Sequence, residues 1–339
     1  MLPTRHGTGS DLADGELREF GMKLSGIGDI KLFAGSGCPD LAQKIADYLG
    51  VPLSPWEIQV FPNENLWIKL NVSVRGQDVY LIQSHSTPVH TNIIETLIAI
   101  DCFNRDSAGR ITLVAPYLAY SQSDKKDQPR VPISARLLAD MIEVAGTDRW
   151  MTIDLHAGQI QGFYSIPGDS LTAFHILIDY FKQKNLKNAV VVTPDLGFAK
   201  RGRNYAAELH LPLAFVEKRR VENDNSREAV TLIGSVDGKD VIIVDDLVDT
   251  AGSIKEAVDI VKANGARDVY LSFAHAVLSG EAVDRLRNLP LKEIVCTDTI
   301  PLPEEKMLPN IKILSVAGLL GEVILRTHEG RSVGELFNE

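Results

Sequence analysis

From Ile30 onward the chain repeats one theme: a short apolar segment, a polar loop, then a stretch whose apolar residues recur at helical spacing. Strands are predicted at 30–34, 79–83, 111–116, 150–154, 189–193, 213–217, 240–244, 269–274, 293–297 and 311–315. Helices are predicted at 40–49, 91–104, 134–145, 199–209, 254–264 and 281–288. Short Val- and Ile-rich runs suit strands buried on both faces, which a parallel sheet covered by helices supplies. The fold class is therefore α/β. Ten strands divide into two mainly parallel sheets of about five, flanked by helices, with a junction near residues 168–175.

The length of 339 residues leaves room for two cores. Residues 1–28 are polar and Gly-rich and read as a mobile extension, with one short helix around 16–23. No apolar run approaches the roughly 18 residues of a membrane span. The N-terminus has no apolar signal core, so a cytoplasmic protein without a membrane partner is expected. A net charge of −10, with no basic stripe, argues against nucleic acid. Cys38, Cys102 and Cys296 are too scattered for a disulfide framework or a zinc site and read as buried thiols.

Parallel sheets bind ligands at the carboxyl ends of their strands, and four predicted strands end in unusual chemistry. The first is DVIIVDDLVDTAGSI at 240–254. It places Asp245, Asp246 and Asp249 at a strand end and Thr250, Ala251, Gly252 and Ser253 at a helix start. Unpaired N–H groups there suit a phosphate, and the carboxylates suit sugar hydroxyls or a hydrated divalent metal. Together they describe a pocket for a phosphorylated sugar.

The second is His156 in DLHAGQIQG, suited to a metal or a phosphate, with Asp154 expected to orient it. At the third, Asp195 offers a hard oxygen to Mg²⁺, and Gly197, Lys200 and Arg201 follow at a helix start as an anion cradle. At the fourth, Lys218, Arg219 and Arg220 are expected on a mobile loop, where cations can neutralise a transferring phosphoryl group. An N-cap, a structural histidine and a solvated charge run are the plain alternatives for each group taken alone. Residues 124–130, DKKDQPR, read as an ordinary surface loop. Neither GxxxxGK[ST] nor the protein-kinase loops occur.

The segments NVSVRGQDVYLIQS, DKKDQPRVPISARLLADMIEVAG, DLHAGQIQGFYSIPGDSL, VDDLVDTAGS and RTHEGRSVGELF resemble the ribose-phosphate pyrophosphokinase (phosphoribosyl-diphosphate synthetase) family from about Ile30 to Phe337. The resemblance implies two phosphoribosyltransferase-like domains, 29–170 joined by 328–339, and 171–327 carrying the ribose 5-phosphate site. It implies transfer of the diphosphoryl group of MgATP to the anomeric hydroxyl of ribose 5-phosphate, giving phosphoribosyl diphosphate and AMP. By the same resemblance, His156 and Asp195 hold Mg²⁺ and nucleotide, and Lys218 and Arg220 are catalytic. Asp245 and Asp249 hold the ribose hydroxyls, Thr250–Ser253 the 5-phosphate, and 195–201 the diphosphate. Phe61, Asn63, Asn65, Gln122 and Ser123 face the nucleotide. A dimer-based homo-hexamer is implied, with the nucleotide site shared between subunits. Ser73 and Arg75 match positions that bind regulatory phosphate or ADP.

The chain departs from the family pattern at the nucleotide. Asn65 replaces a glutamate, and Gln122–Ser123 replace an Arg-Gln pair, removing a permanent cation. Ala251 and Ser253 stand where Gly and Thr are common. Two other functions fit parts of the sequence: a catalytically impaired paralogue that regulates a true synthetase in a mixed oligomer, and a phosphoribosyltransferase sharing the VDDLVDTAG loop.

Overall fold

The computed structural model describes residues 27–221 and 224–336, and within these not the side chains of 218–230 and 335. Residues 1–26, which hold most of the expected extension and its helix, lie outside the described residues.

In chain order the elements are β1 (Ile30–Ala34), α1 (Pro39–Leu49), β2 (Trp56–Val60), β3 (Leu66–Leu70), β4 (Asp78–Ile82), α2 (Val89–Arg105), β5 (Arg110–Ala115), α3 (Ser134–Ala145), β6 (Arg149–Ile153) and β7 (Gly168–Leu171). There follow α4 (Phe174–Lys184), β8 (Ala189–Thr193), α5 (Ala199–Glu208), β9 (Leu213–Val221), β10 (Asp224–Ile233), β11 (Asp240–Val248), α6 (Gly252–Ala263), β12 (Val269–Ala276), α7 (Ala282–Asn288), β13 (Glu293–Thr297), β14 (Ile311–Leu314) and α8 (Ala317–Glu329).

The first sheet has five strands in the order β1-β4-β5-β6-β7, all parallel. The second has seven, ordered β10-β9-β8-β11-β12-β13-β14, and only the β9–β10 pair is antiparallel. An α/β fold with two mainly parallel sheets is thus present, but the second sheet exceeds the expected five strands. The excess includes β10, which sequence patterning left as loop because 222–228 lacks apolar alternation. Its backbone is held by pairing with β9, register Lys218↔Val230 and Arg220↔Glu228. The segment carrying Lys218 and Arg220 is therefore a strand, where a mobile loop was expected.

A separate antiparallel ribbon, β2–β3, was also unforeseen. Trp56 anchors it, meeting Phe33 edge-on at 5.2 Å between ring centroids. Strand β7 is short and polar. Gly168 opens it because the Trp150 indole leaves no room for a Cβ there.

One apolar core joins the halves: Leu32, Ile45 and Tyr80 from the first, Ile178, Val191 and Ile242 from the second, and Leu320 and Ile324 from α8. Each sheet also has a core of its own on the opposite face. Contact of the C-terminal segment with the first half begins well before 328, with α8 lying against α1. The Tyr48 hydroxyl is 3.2 Å from Glu322, and the Tyr80 hydroxyl donates to the Ile324 carbonyl at 3.4 Å. At the base of β4 the fully buried Asp78 accepts two bonds from Arg110, at 2.8 and 2.6 Å, and lies 2.8 Å from His328 Nδ1. A buried charge survives only when so satisfied.

Candidate active site

Strand β11 runs through both acidic residues, four residues past its predicted end, because its ladder with β12 continues as Asp245↔Phe273, Leu247↔His275 and Val248↔Ala276. The turn to α6 is correspondingly tight, Asp249–Thr250–Ala251, with the helix starting at Gly252. Two residues missed by sequence reasoning brace this turn. The Ser279 hydroxyl donates to the Asp249 carboxylate, and Arg285 Nη1 donates to the Thr250 carbonyl at 2.8 Å. Both follow β12, on a loop and short helix whose composition carries no distinctive signal.

The turn floors a cavity of about 270 Å³, lined by residues 245–254 together with Gln122, His156 and Asp195. Both halves of the chain contribute. His156 follows β6 of the first sheet, and its Nδ1 lies 2.8 Å from Asp246 Oδ2 of the second. Asp154, expected to orient His156, instead accepts the Thr172 hydroxyl at 2.8 Å and the Ala173 N–H at 2.9 Å. Asp154 has a left-handed backbone, φ 41°. The orienting carboxylate comes from 90 residues downstream.

The charges here are unequal. Burial, and then the charge of Asp246, push the Asp245 carboxyl well above its usual range. Burial also opposes the charge on Asp246, but the hydrogen bond and charge of His156 outweigh it and hold that carboxyl below its usual range. The same hydrogen bond raises His156. Both Asp246 oxygens are engaged by partners of their own, His156 at Oδ2 and the Leu247 N–H at Oδ1, 2.8 Å each.

Asp195 Oδ1 accepts the Phe198 N–H at 3.1 Å, leaving the other oxygen for a ligand. His156 likewise keeps Nε2 when Asp246 holds Nδ1. An oxygen and an imidazole donor suit a divalent ion that completes its shell with phosphate oxygens and water, as Mg²⁺ does. Among the described residues no three His, Cys, Asp or Glu side chains converge to form a metal cage by themselves.

Other predicted site residues stand apart from the cavity. Gly197, Lys200 and Arg201 do not line it. Arg201 Nη2 instead donates to the Leu155 carbonyl at 3.1 Å, tying α5 to the end of β6. Phe61, Asn63 and Asn65 form the tip of the β2–β3 ribbon, closed by Phe61 N–H donating to the Asn65 carbonyl at 2.9 Å. Ser123 is held in a turn by the Tyr120 carbonyl at 2.8 Å. Lys218 and Arg220 lie on β9 with side chains outside the described residues. In the supposed surface loop, Asp124 is buried and accepts a bond from Gln159, while 125–130 are exposed. Ser73 lines a separate open groove with Arg105 and Asp106, and Arg75 donates to the Ser107 hydroxyl at 3.4 Å.

Comparison with known proteins now decides the family. Residues 30–146 match the profile described as the N-terminal domain of ribose phosphate pyrophosphokinase, and 221–338 the phosphoribosyl synthetase-associated domain. A ribose-phosphate pyrophosphokinase from Caldanaerobacter subterraneus is 47% identical over 309 residues, covering 91% of this chain and 98% of its own. The chain belongs to the ribose-phosphate pyrophosphokinase family. The Bacillus subtilis ribose-phosphate pyrophosphokinase is 44% identical over 310 residues, 91% of this chain and 98% of its own. The crystal structure of phosphoribosylpyrophosphate synthetase from Mycobacterium smegmatis superposes with a TM-score of 0.85 at 38% identity, covering 89% of this chain and 99% of that one. Membership is thus an enzyme assignment to nucleotide-precursor synthesis. No helix among the described residues is long and apolar enough to cross a membrane.

One residue of the turn carries a backbone cost. Ala251 sits in the left-handed region, φ 59° and ψ 18°, where a Cβ costs about 1–2 kcal/mol. Ala251→Gly is expected to stabilise the fold by about 0.5–1 kcal/mol after the entropy lost by the more flexible unfolded chain is counted. Thermal unfolding of the two proteins tests this; an unchanged or lower melting temperature contradicts it.

Proposed function

We propose that this chain is an active ribose-phosphate diphosphokinase, transferring the diphosphoryl group of MgATP to the anomeric hydroxyl of ribose 5-phosphate. The observation that carries the reading is the His156–Asp246 pair, 2.8 Å apart, which joins the two halves over a cavity floored by a helix start. Thr250–Ser253 take the 5-phosphate on backbone N–H groups and hydroxyls at the start of α6. Asp245 and Asp249 take the ribose hydroxyls, and Asp246 holds His156 in place. His156 Nε2 and an Asp195 oxygen hold Mg²⁺, which when bound offsets negative charge on the phosphate oxygens. Residues 195–201 receive the diphosphate, and Lys218 and Arg220 supply cations to it.

In this reading the nucleotide site is completed by a second subunit of a homo-oligomer, a dimer-based hexamer. The position of Phe61, Asn63 and Asn65 supports it: they stand at the tip of an exposed ribbon, outside the cavity of their own chain. Residues 29–170, with the C-terminal segment, form one phosphoribosyltransferase-like domain and 171–327 the other. The cytoplasm is the proposed setting. Inorganic phosphate or ADP at Ser73 and Arg75 is the proposed regulation.

The test incubates the protein with ribose 5-phosphate, Mg²⁺ and, in turn, ATP, dATP, GTP, CTP or ADP. Release of nucleoside monophosphate with ATP is expected; no release with any donor contradicts the proposal and favours a regulatory paralogue. Gln122 lines the cavity and carries no charge. Gln122→Arg is therefore expected to lower the KM for ATP by about tenfold or more, since one charge-assisted hydrogen bond is worth about 1.5–3 kcal/mol. An unchanged KM means that another cation already occupies that role.

A further inference from the structure

The two sheets meet at their ligand-binding ends through a buried polar chain with His275 at its centre. His275 is 2% exposed and stands on β12 opposite Leu247, the residue after Asp246. Its Nε2 lies 3.0 Å from the Ile153 carbonyl and 3.2 Å from that of Asp154, at the end of β6. Its Nδ1 lies 2.9 Å from the Thr299 hydroxyl. The Thr299 carbonyl in turn accepts the Ser84 hydroxyl at 2.7 Å, at the end of β4. Ser84 and Thr299 are fully buried.

A neutral ring satisfies every partner, with Nε2–H donating to the two carbonyls and Nδ1 accepting from Thr299. Burial drives the ring toward that neutral form. The carbonyl that His275 holds belongs to a strained residue. A left-handed Asp154 persists only when its surroundings fix it: its N–H donates to the Leu171 carbonyl at 2.9 Å, its carboxylate accepts from Thr172 and Ala173, and its carbonyl is held by His275. Two residues further on stands His156, whose partner Asp246 lies on the strand beside His275.

We infer that His275 is a positioning residue: by clamping the end of β6 to β12 it sets the placement of His156 against Asp246 across the two halves. The kinetic consequence rests on the diphosphokinase reading, while the clamp itself does not. Three variants separate its parts. His275→Gln keeps a donor at the reach of Nε2, His275→Asn reaches only the Nδ1 position, and His275→Phe fills the space with no donor.

Small misplacements of reacting groups cost up to about 100-fold. His275→Phe is accordingly expected to lower kcat between about 10- and 100-fold, with the KM for ribose 5-phosphate changed less than about threefold. His275→Gln is expected to retain kcat within about threefold. Hydrogen exchange should accelerate at the amides of residues 154–156 in the Phe variant and stay unchanged in β4 and β8. Unchanged exchange at 154–156, or a Gln variant as slow as the Phe variant, overturns the inference. If the Phe variant does not fold, the Asn variant decides by the same readouts. If the wild-type protein releases no AMP, the diphosphokinase reading falls and the exchange measurement alone decides the clamp.

Discussion

Replacing His156 by alanine is expected to lower turnover with MgATP and ribose 5-phosphate by about 10²- to 10³-fold, the loss typical when one preorganised group that stabilises developing charge is removed. Two effects combine. The variant loses the Nε2 proposed for the metal–nucleotide complex, and Asp246, only 6% exposed, loses the hydrogen bond that holds its carboxyl below the usual range. Burial then pushes the Asp246 carboxyl upward, as it already does at Asp245. The sugar pocket survives, because Asp249 and Thr250 are braced by Ser279 and Arg285 independently of His156. Calorimetry should therefore give a ribose 5-phosphate Kd within about threefold of wild type, a change worth less than 1 kcal/mol. Unchanged turnover, or loss of sugar binding, contradicts this division of roles.

Lys218→Ala is expected to have a similar effect, about 10²- to 10³-fold on kcat, again with sugar binding retained. The backbone supports a role for this position. The β8–β9 ladder ends at Thr193↔Phe215, two residues before Asp195, while β9 continues to Val221. Lys218 thus stands beyond the strand end that carries Asp195, on the same sheet as Asp245 and Asp246. Lys218→Arg keeps the charge and should recover part of the loss, though a planar guanidinium is no geometric replacement for an ammonium. A Lys218→Ala protein with wild-type kcat would remove the lysine from the chemistry.

What the sequence discloses about this fold follows from where its physical signals are local. Strands β8 and β11 were legible because AVVVT and DVIIV are apolar throughout, as strands buried on both faces require. The start of α6 was legible because carboxylates, hydroxyls and a glycine are adjacent in the chain. The partner of His156 was not, since Asp246 lies 90 residues away and Asp154 stood nearer in sequence. Only the meeting of two sheets brings Asp246 closer, and no local pattern encodes that meeting.

Helices α4 and α8 are additional to the predicted ones. Both pack in the core shared by the two halves, and α8 buries Leu320, Gly321, Val323 and Ile324 against more than one neighbour. Apolar residues on several faces blur the helical period. Strand β10 illustrates the opposite case, a segment polar in its first half whose backbone pairs with β9 and whose Leu232 packs on the second sheet's own core. The conformation of Ala251 was signalled only by comparison with the family pattern, where Gly is common. Alanine gives no hint of a left-handed backbone, which a glycine in its place would have signalled.

Diphosphoryl transfer differs from ordinary phosphoryl transfer in which phosphorus is attacked, and one labelled substrate reads that directly. Ribose 5-phosphate, Mg²⁺ and ATP labelled at the β-phosphorus are incubated with the protein, and the products are separated. Diphosphoryl transfer predicts that the label leaves the nucleotide entirely, appearing in phosphoribosyl diphosphate with an equal amount of unlabelled AMP. Label retained in ADP, or in unreacted ATP after many enzyme equivalents of time, would contradict it.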